Sequence, residues 1–153
     1  MLLRAAGWGP YEWAVSDHST DPSRKDMDIG GNPSLLLNKV TGKLVLQFVR
    51  GLRNKKTQAQ TCNPALTNWQ QESSDSGKTW SKPLEISKNL GPWAGSLVGP
   101  ANGIQLSHNK LHKNRLVWCG HWGVYNSTQV WYSDDEGTRT HPSRPCRAWK
   151  YGD

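Results

Sequence analysis

Apolar residues along this chain alternate with polar ones or cluster in short runs. No segment of ten residues has the i, i+3, i+4, i+7 apolar spacing that marks one face of a helix. Residues 34–38 form a short apolar run, Val40-Thr41-Gly42 reads as a turn, and 43–49 reads as a strand. Successive strand side chains point to opposite faces. Leu44, Leu46 and Phe48 therefore point one way and Val45 and Val49 the other, so this hairpin is apolar on both sides. That pattern predicts a sheet covered on both faces, as in a blade held between neighbouring blades. After a basic loop, 66–72 reads as a strand, with Trp80 and 82–86 forming the strand that follows. The Gly/Pro-rich stretch 91–102 is a connection. Residues 103–106 and 115–119 read as two strands joined by the polar segment 107–114, and 128–132 as another. The predicted class is all-β.

Between the strands at 66–72 and 82–86 stands Ser73-Ser74-Asp75-Ser76-Gly77-Lys78-Thr79-Trp80, which matches S-x-D-x-G-x-T-W at every fixed position. This octapeptide is the Asp-box, a hairpin corner. Asp75 is placed to accept hydrogen bonds from nearby backbone N–H groups, and Gly77 to supply a positive φ. Thr79 and Trp80 are expected to begin the next strand, with the indole packing under the turn. Sixty residues on, Ser133-Asp134-Asp135-Glu136-Gly137-Thr138-Arg139-Thr140 repeats Ser133, Asp135 and Gly137 in register, with Arg139 in place of Thr and Thr140 in place of Trp. This second box is degenerate. The spacing is somewhat longer than the roughly 40–50 residues of a propeller blade, and a repeat of this kind marks radially repeated four-stranded sheets. The strands amount to about three blades' worth. The boxes fix a turn and a fold; they carry no chemistry of their own.

Composition sharpens this picture in a few places. The 153 residues suffice for one domain with a core. Nine tryptophans beside one phenylalanine, with 15 glycines and nine prolines, suit short strands and tight turns. The net charge is +7 and the sequence pI about 9.5. Much of the excess lies at Arg50, Arg53, Lys55 and Lys56 and at Arg139, Arg144, Arg147 and Lys150. No aromatic-plus-basic strand motif accompanies it, so solvated loops are the expectation and nucleic-acid binding is not. Cys62, Cys119 and Cys146 include no C-x-x-C pair and indicate neither a zinc site nor a disulfide framework, though a single bridge stays open. His108 and His112 stand four apart in a polar, non-helical connection, which is not a metal site. No metal or cofactor is expected. No stretch near the N-terminus is apolar and long enough for a signal h-region or a membrane span. Asn126-Ser127-Thr128 is a possible glycosylation sequon.

Four further segments, in order, carry a resemblance. Asn32-Pro33-Ser34 with Val40-Thr41-Gly42 and its following strand resembles the stretch ahead of an Asp-box in sialidases. Gly99-Pro100-Ala101-Asn102-Gly103-Ile104-Gln105-Leu106 resembles their G-P-G-x-G-I-Q-L segment. Arg115-Leu116-Val117-Trp118-Cys119-Gly120-His121 resembles their R-L-[IV]-x-x-G-H strand, and Tyr132-Ser133-Asp134-Asp135-Glu136-Gly137 the approach to the next box. The wording around Cys119 is similar to the animal lysosomal branch. The match covers roughly residues 28–137; 1–27 and 138–153 diverge from it, the latter showing no strand pattern. The resemblance implies one partial domain of a six-bladed β-propeller. It also implies exo-α-sialidase activity: hydrolysis of terminal sialic acids from glycoproteins, gangliosides and oligosaccharides, with a lysosomal or membrane-associated location.

The same resemblance implies a tyrosine nucleophile activated by a glutamate, an aspartate as acid/base, and several arginines on the substrate carboxylate. Only Asp21, in Ser19-Thr20-Asp21 with Lys25 after it, matches the acid/base loop, and its alternative is an Asp-Pro turn with Pro22. The F/Y-R-I-P segment is missing, and neither Tyr125 nor Tyr132 has the nucleophile's context. His121 is either a structural histidine or one that faces a central pocket. The chain is therefore expected to be incomplete and inactive alone, with open sheet edges that invite self-association. The alternative is a non-catalytic Asp-box fragment binding glycan or protein, with tryptophans such as Trp93 or Trp122 stacking on sugar faces.

Overall fold

The computed structural model describes residues 26–54, 66–99, 101–122 and 127–143. Their strands form two antiparallel sheets. The first is a four-stranded meander, β1 (Asp26–Leu37), β2 (Leu44–Asn54), β3 (Thr67–Ser73) and β4 (Leu84–Glu85), in that spatial order. The second places β7 (Leu116–Trp122) beside β8 (Ser127–Ser133), then β9 (His141–Pro142). On the other side of β7 lie two short strands, β5 (Leu97–Val98) and β6 (Ile104–Gln105). These two pair in succession along one strand and together fill a single position, so the described strands make two blades and not the three that counting strands along the chain suggests.

The β1–β2 hairpin forms where the alternation predicts it. Asn38 receives and returns backbone bonds across the turn, to Lys43 and Gly42 at 2.8 Å each. Farther along, the register shifts between Gly31 and Ser34. The irregularity falls where Asn32 takes φ 49° and Pro33 has no N–H to offer the ladder. Both faces of β2 are buried, as the double apolar pattern requires: Val45 and Val49 on one, Leu46 and Phe48 on the other.

The core lies between the blades. Leu36, Val45 and Val49 of the first sheet meet Val98, Leu116, Trp118 and Trp131 of the second, with Leu90 completing the cluster. Two polar seams run beside it. Asn68 donates from Nδ2 to Ser96 O at 2.7 Å and accepts from Gly95 N at 2.7 Å, pinning the connection to β3. The segment from Gly99 to Gly103 crosses β1: Ser34 Oγ donates to Ala101 O, and Gly103 N to Leu35 O at 3.1 Å.

Three elements differ from the sequence expectation. Residues Ser87–Leu90 form one helical turn, followed by a 3-10 turn over Gly91–Trp93. Four residues are too few to show helical periodicity. The strand after the first box is only Leu84–Glu85, although Ser81 N still bonds Glu72 O at 2.8 Å. Residues 138–143, in a stretch without strand pattern, continue the second blade: His141 pairs with Tyr132 and Pro142 with Trp131. A two-residue edge strand containing proline offers no alternation to read.

Candidate functional site

The two Asp-boxes occupy equivalent corners. Ser73 pairs with Leu44 at the start of β2, and Ser133 pairs with Leu116 at the start of β7. Both boxes therefore sit at the same end of adjacent blades, each following its third strand position.

In the first box, Ser73 Oγ donates to Asp75 Oδ1 at 2.8 Å and accepts from Gly77 N at 2.8 Å. Asp75 in turn accepts from Thr79 N at 2.9 Å and from Thr79 Oγ1 at 2.6 Å. Ser76 and Gly77 both take positive φ, 62° and 88°, so the corner needs two left-handed residues and glycine relieves only the second. Trp80 Nε1 closes the turn on Gly77 O at 3.1 Å.

The second box reproduces this network with different chemistry. Ser133 Oγ bonds Asp135 Oδ1 at 2.8 Å and Gly137 N at 2.9 Å, and Glu136 and Gly137 take φ 62° and 103°. Arg139 N supplies the backbone donor to Asp135 Oδ1 at 2.8 Å, and its guanidinium stands 3.4 Å from Oδ2, where Thr79 places a hydroxyl in the first box. The indole is replaced from outside. Gly137 O accepts from Gln70 Nε2 at 2.8 Å, a donor from β3 of the neighbouring blade. Thr140, in the tryptophan's position, is buried. The box that reads as degenerate is thus geometrically complete, and it is closed across the seam between blades.

Gln70 belongs to a buried relay. Gln70 Oε1 accepts from Gln47 Nε2 at 2.9 Å, and Gln47 Oε1 accepts from Trp131 Nε1 at 2.8 Å. Asn38 Nδ2 adds a bond to Glu136 O at 3.3 Å. Gln47, Gln70 and Asn38 thus each make one bond to a group on the facing blade, which offsets the cost of burying their amides in low-dielectric surroundings.

The Thr79 hydroxyl, then the Thr79 N–H and the Ser73 hydroxyl, lower the Asp75 carboxyl to about 2. A carboxylate with a depressed folded-state value stabilises the fold fully above its unfolded value, near 4, and loses that contribution as pH falls toward the folded one. Box closure is therefore expected to weaken between about pH 4 and about pH 2. A carboxyl-carbon NMR titration should find Asp75 titrating low, and Thr79→Val should move it back up. Titration of wild-type Asp75 in the ordinary aspartate range would refute the network. At Asp135 burial opposes ionisation, but the Arg139 N–H, the Ser133 hydroxyl and the Arg139 charge together hold the carboxyl below its usual range.

Arg115 is engaged in the same blade. Its Nε and one terminal nitrogen each donate to Asp134 at 2.7 Å, and its guanidinium lies 3.8 Å from the Tyr132 ring centroid. The Asp134 hydrogen bonds raise Arg115 and lower Asp134 from their ordinary values. Arg115 and Asp134 passed unremarked as a pair in the sequence; their separation by one hairpin, 19 residues, is the signal that would have found them.

Asp21, Asn126, Tyr125, Cys62 and Cys146 lie outside the described residues, as does the side chain of Trp122. Trp93 packs against the core, half-buried. Cys119 is an exposed free thiol. Among the described residues no group of three or more His, Cys, Asp or Glu side chains could hold a metal ion, and no helix is long and apolar enough to cross a membrane.

Two blades with equivalent Asp-box corners, packed through one apolar seam, invite comparison with solved propellers. A Hadza microbial sialidase superposes over 92% of this chain with a TM-score of 0.70 at 22% identity. The fold is that of the sialidases. An intramolecular trans-sialidase from Ruminococcus gnavus matches 79% of the chain (TM-score 0.59, 14% identity), and a Streptococcus pneumoniae sialidase 81% (TM-score 0.61, 12% identity). In sequence, an exo-alpha-sialidase of Aspergillus fumigatus is 52% identical over 42 residues, which is 26% of this chain and 10% of that protein. No protein-family profile matches the chain. The sialidase-type segment spans 29% of the Hadza enzyme, 45% of the Ruminococcus enzyme and 33% of the Streptococcus one.

Proposed function

We propose that this chain supplies two neighbouring blades to an exo-α-sialidase that hydrolyses terminal sialic acids from glycoconjugates. The observation that carries this reading is the pair of Asp-box corners, set in the same register in adjacent blades of a sialidase-type fold. The described residues act as scaffold. Arg115 is bound to Asp134, and Arg139 stands against Asp135. Arg50 stacks over the Trp69 ring at 5.1 Å, so each of these three arginines is already engaged. Carboxylate binding then falls to residues beyond those described, and protonation of the leaving oxygen to Asp21. The R-L-V-x-C-G-H wording supports placing the protein near the animal lysosomal branch.

The test is release of fluorophore from a fluorogenic α-sialoside. The 153-residue chain by itself is expected to show no release above the buffer rate. A longer protein carrying these blades should turn the sialoside over, and Asp21→Asn should lower its rate by about 10²–10⁴-fold. Turnover by the 153-residue chain itself would contradict the scaffold role. Sialoside binding without turnover in the longer protein would favour a glycan-binding module instead.

A further inference from the structure

Ala101-Asn102-Gly103 holds the one asparagine in the sequence that directly precedes a glycine. Packing requires that glycine. A Cβ at residue 103 would stand 2.7 Å from Trp118 Nε1 and 2.8 Å from Leu36 Cδ1. Both neighbours belong to the seam between the blades, with Trp118 1% and Leu36 2% exposed. Asn102 itself is exposed. A solvated side-chain amide is therefore followed by the residue type that leaves the next backbone nitrogen least crowded.

Asn102 also stands between two anchors. Ala101 O accepts from Ser34 Oγ, and Gly103 N donates to Leu35 O at 3.1 Å. These bonds fix the crossing segment to consecutive residues of β1, and so join the first sheet to the β5 and β6 side of the second. While Gly103 N donates to Leu35 O it is held against β1. Reaction of that nitrogen with its neighbour's side chain needs the segment to lift, a local opening that leaves the rest of the fold in place.

We propose that Asn102 is a site of spontaneous deamidation, restrained by the closed segment and releasing it irreversibly once the amide is lost. In the opened segment Gly103 N gives up its proton to solvent and attacks Asn102 Cγ. The new Cγ–N bond closes a succinimide ring as the bond from Cγ to the side-chain nitrogen breaks, and that nitrogen takes up a proton and leaves as ammonia. Water then adds to one of the two ring carbonyls, giving aspartate or isoaspartate. One water is consumed and one ammonia released, with no change of oxidation state, and the net charge falls by one from +7. Isoaspartate is the consequential product. Its main chain runs through Cβ and is one carbon longer between Ala101 O and Gly103 N, while the anchors Ser34 and Leu35 stay adjacent on β1. Ser34 is buried, and Trp118 and Leu36 crowd Gly103, so the extra length has nowhere to go. At least one anchor is lost.

The experiment follows residue 102 of the 153-residue chain during incubation at mildly alkaline pH, by peptide mapping with a fragmentation that separates isoaspartate from aspartate. Isoaspartate should appear there, more slowly in the native chain than in the same chain unfolded in urea. Ser34→Ala removes one anchor. It should speed the native reaction about fivefold, the scale set by one hydrogen bond, with the near-ultraviolet circular dichroism of the tryptophans unchanged. Asn102→Asp introduces the same charge without the extra carbon, so it should unfold at nearly the wild-type urea concentration. The isoaspartyl chain, separated by ion exchange, should unfold at a lower one. No isoaspartate at residue 102, equal rates in the native and unfolded chain, or a native rate unmoved by Ser34→Ala would overturn the proposal. So would an isoaspartyl chain as stable as the Asn102→Asp variant. None of these readouts depends on sialoside hydrolysis.

Discussion

Trp131→Ala is expected to remove about 3–5 kcal/mol of stability, the range for truncating a buried aromatic side chain. Trp131 is 1% exposed at the centre of the seam between blades, and its indole N–H is the donor that ends the glutamine relay. Truncation therefore opens a cavity and also strips Gln47 Oε1 of its partner. The two effects are separable. Trp131→Phe keeps most of the packing and loses the donor, so it should account for about 1–3 kcal/mol, the penalty for orphaning a buried polar group. Urea denaturation followed by far-ultraviolet circular dichroism measures both. For a domain whose total stability is about 5–15 kcal/mol, the alanine variant should be poorly folded. A loss below about 1 kcal/mol for Trp131→Ala would mean that the two blades do not share this core.

Gly120→Ala should be nearly as disruptive, for a different reason. A Cβ at Gly120 would stand 2.4 Å from Leu97 O and 2.8 Å from Trp131 Cη2. Neither neighbour can retreat cheaply, since one is the backbone of β5 and the other the packed indole. Overpacking of this kind typically costs about 1–3 kcal/mol, and Gly120→Val should exceed it. Gly31→Ala is the control: its nearest neighbour would be Val49 Cγ2 at 4.0 Å, an ordinary contact. Equal stability of the Gly120→Ala and Gly31→Ala variants would show that β5 does not pair where Leu97 meets His121.

How much of this was legible beforehand depends on the range of the interaction involved. The first Asp-box was readable because its donors and acceptors lie within eight residues. Its internal bonds form as the residue types require, down to the indole over Gly77. The double apolar alternation of β2 was readable because both faces are buried by this fold. The second box departs from the consensus at two positions, and what compensates for them lies outside the octapeptide. Arg139 and Thr140 look like losses, but the bond to Asp135 comes from a backbone N–H that any residue but proline provides. The missing indole donor is supplied by Gln70, 67 residues earlier. Likewise Trp131 and Gln47 are 84 residues apart. Nothing local in a glutamine says that it will be buried or what will satisfy it. Asp21, which carries the catalytic expectation, lies outside the described residues.

The most direct test of the account is whether the second box is closed by the first blade. In a side-chain NOE spectrum, the Gln70 amide protons should show cross-peaks to the Gly137 backbone, as the 2.8 Å bond from Nε2 to the carbonyl requires. These protons should also exchange with solvent far more slowly than those of an exposed glutamine. A Gln70 amide that exchanges freely and shows no contact with Gly137 would contradict the paired-blade architecture.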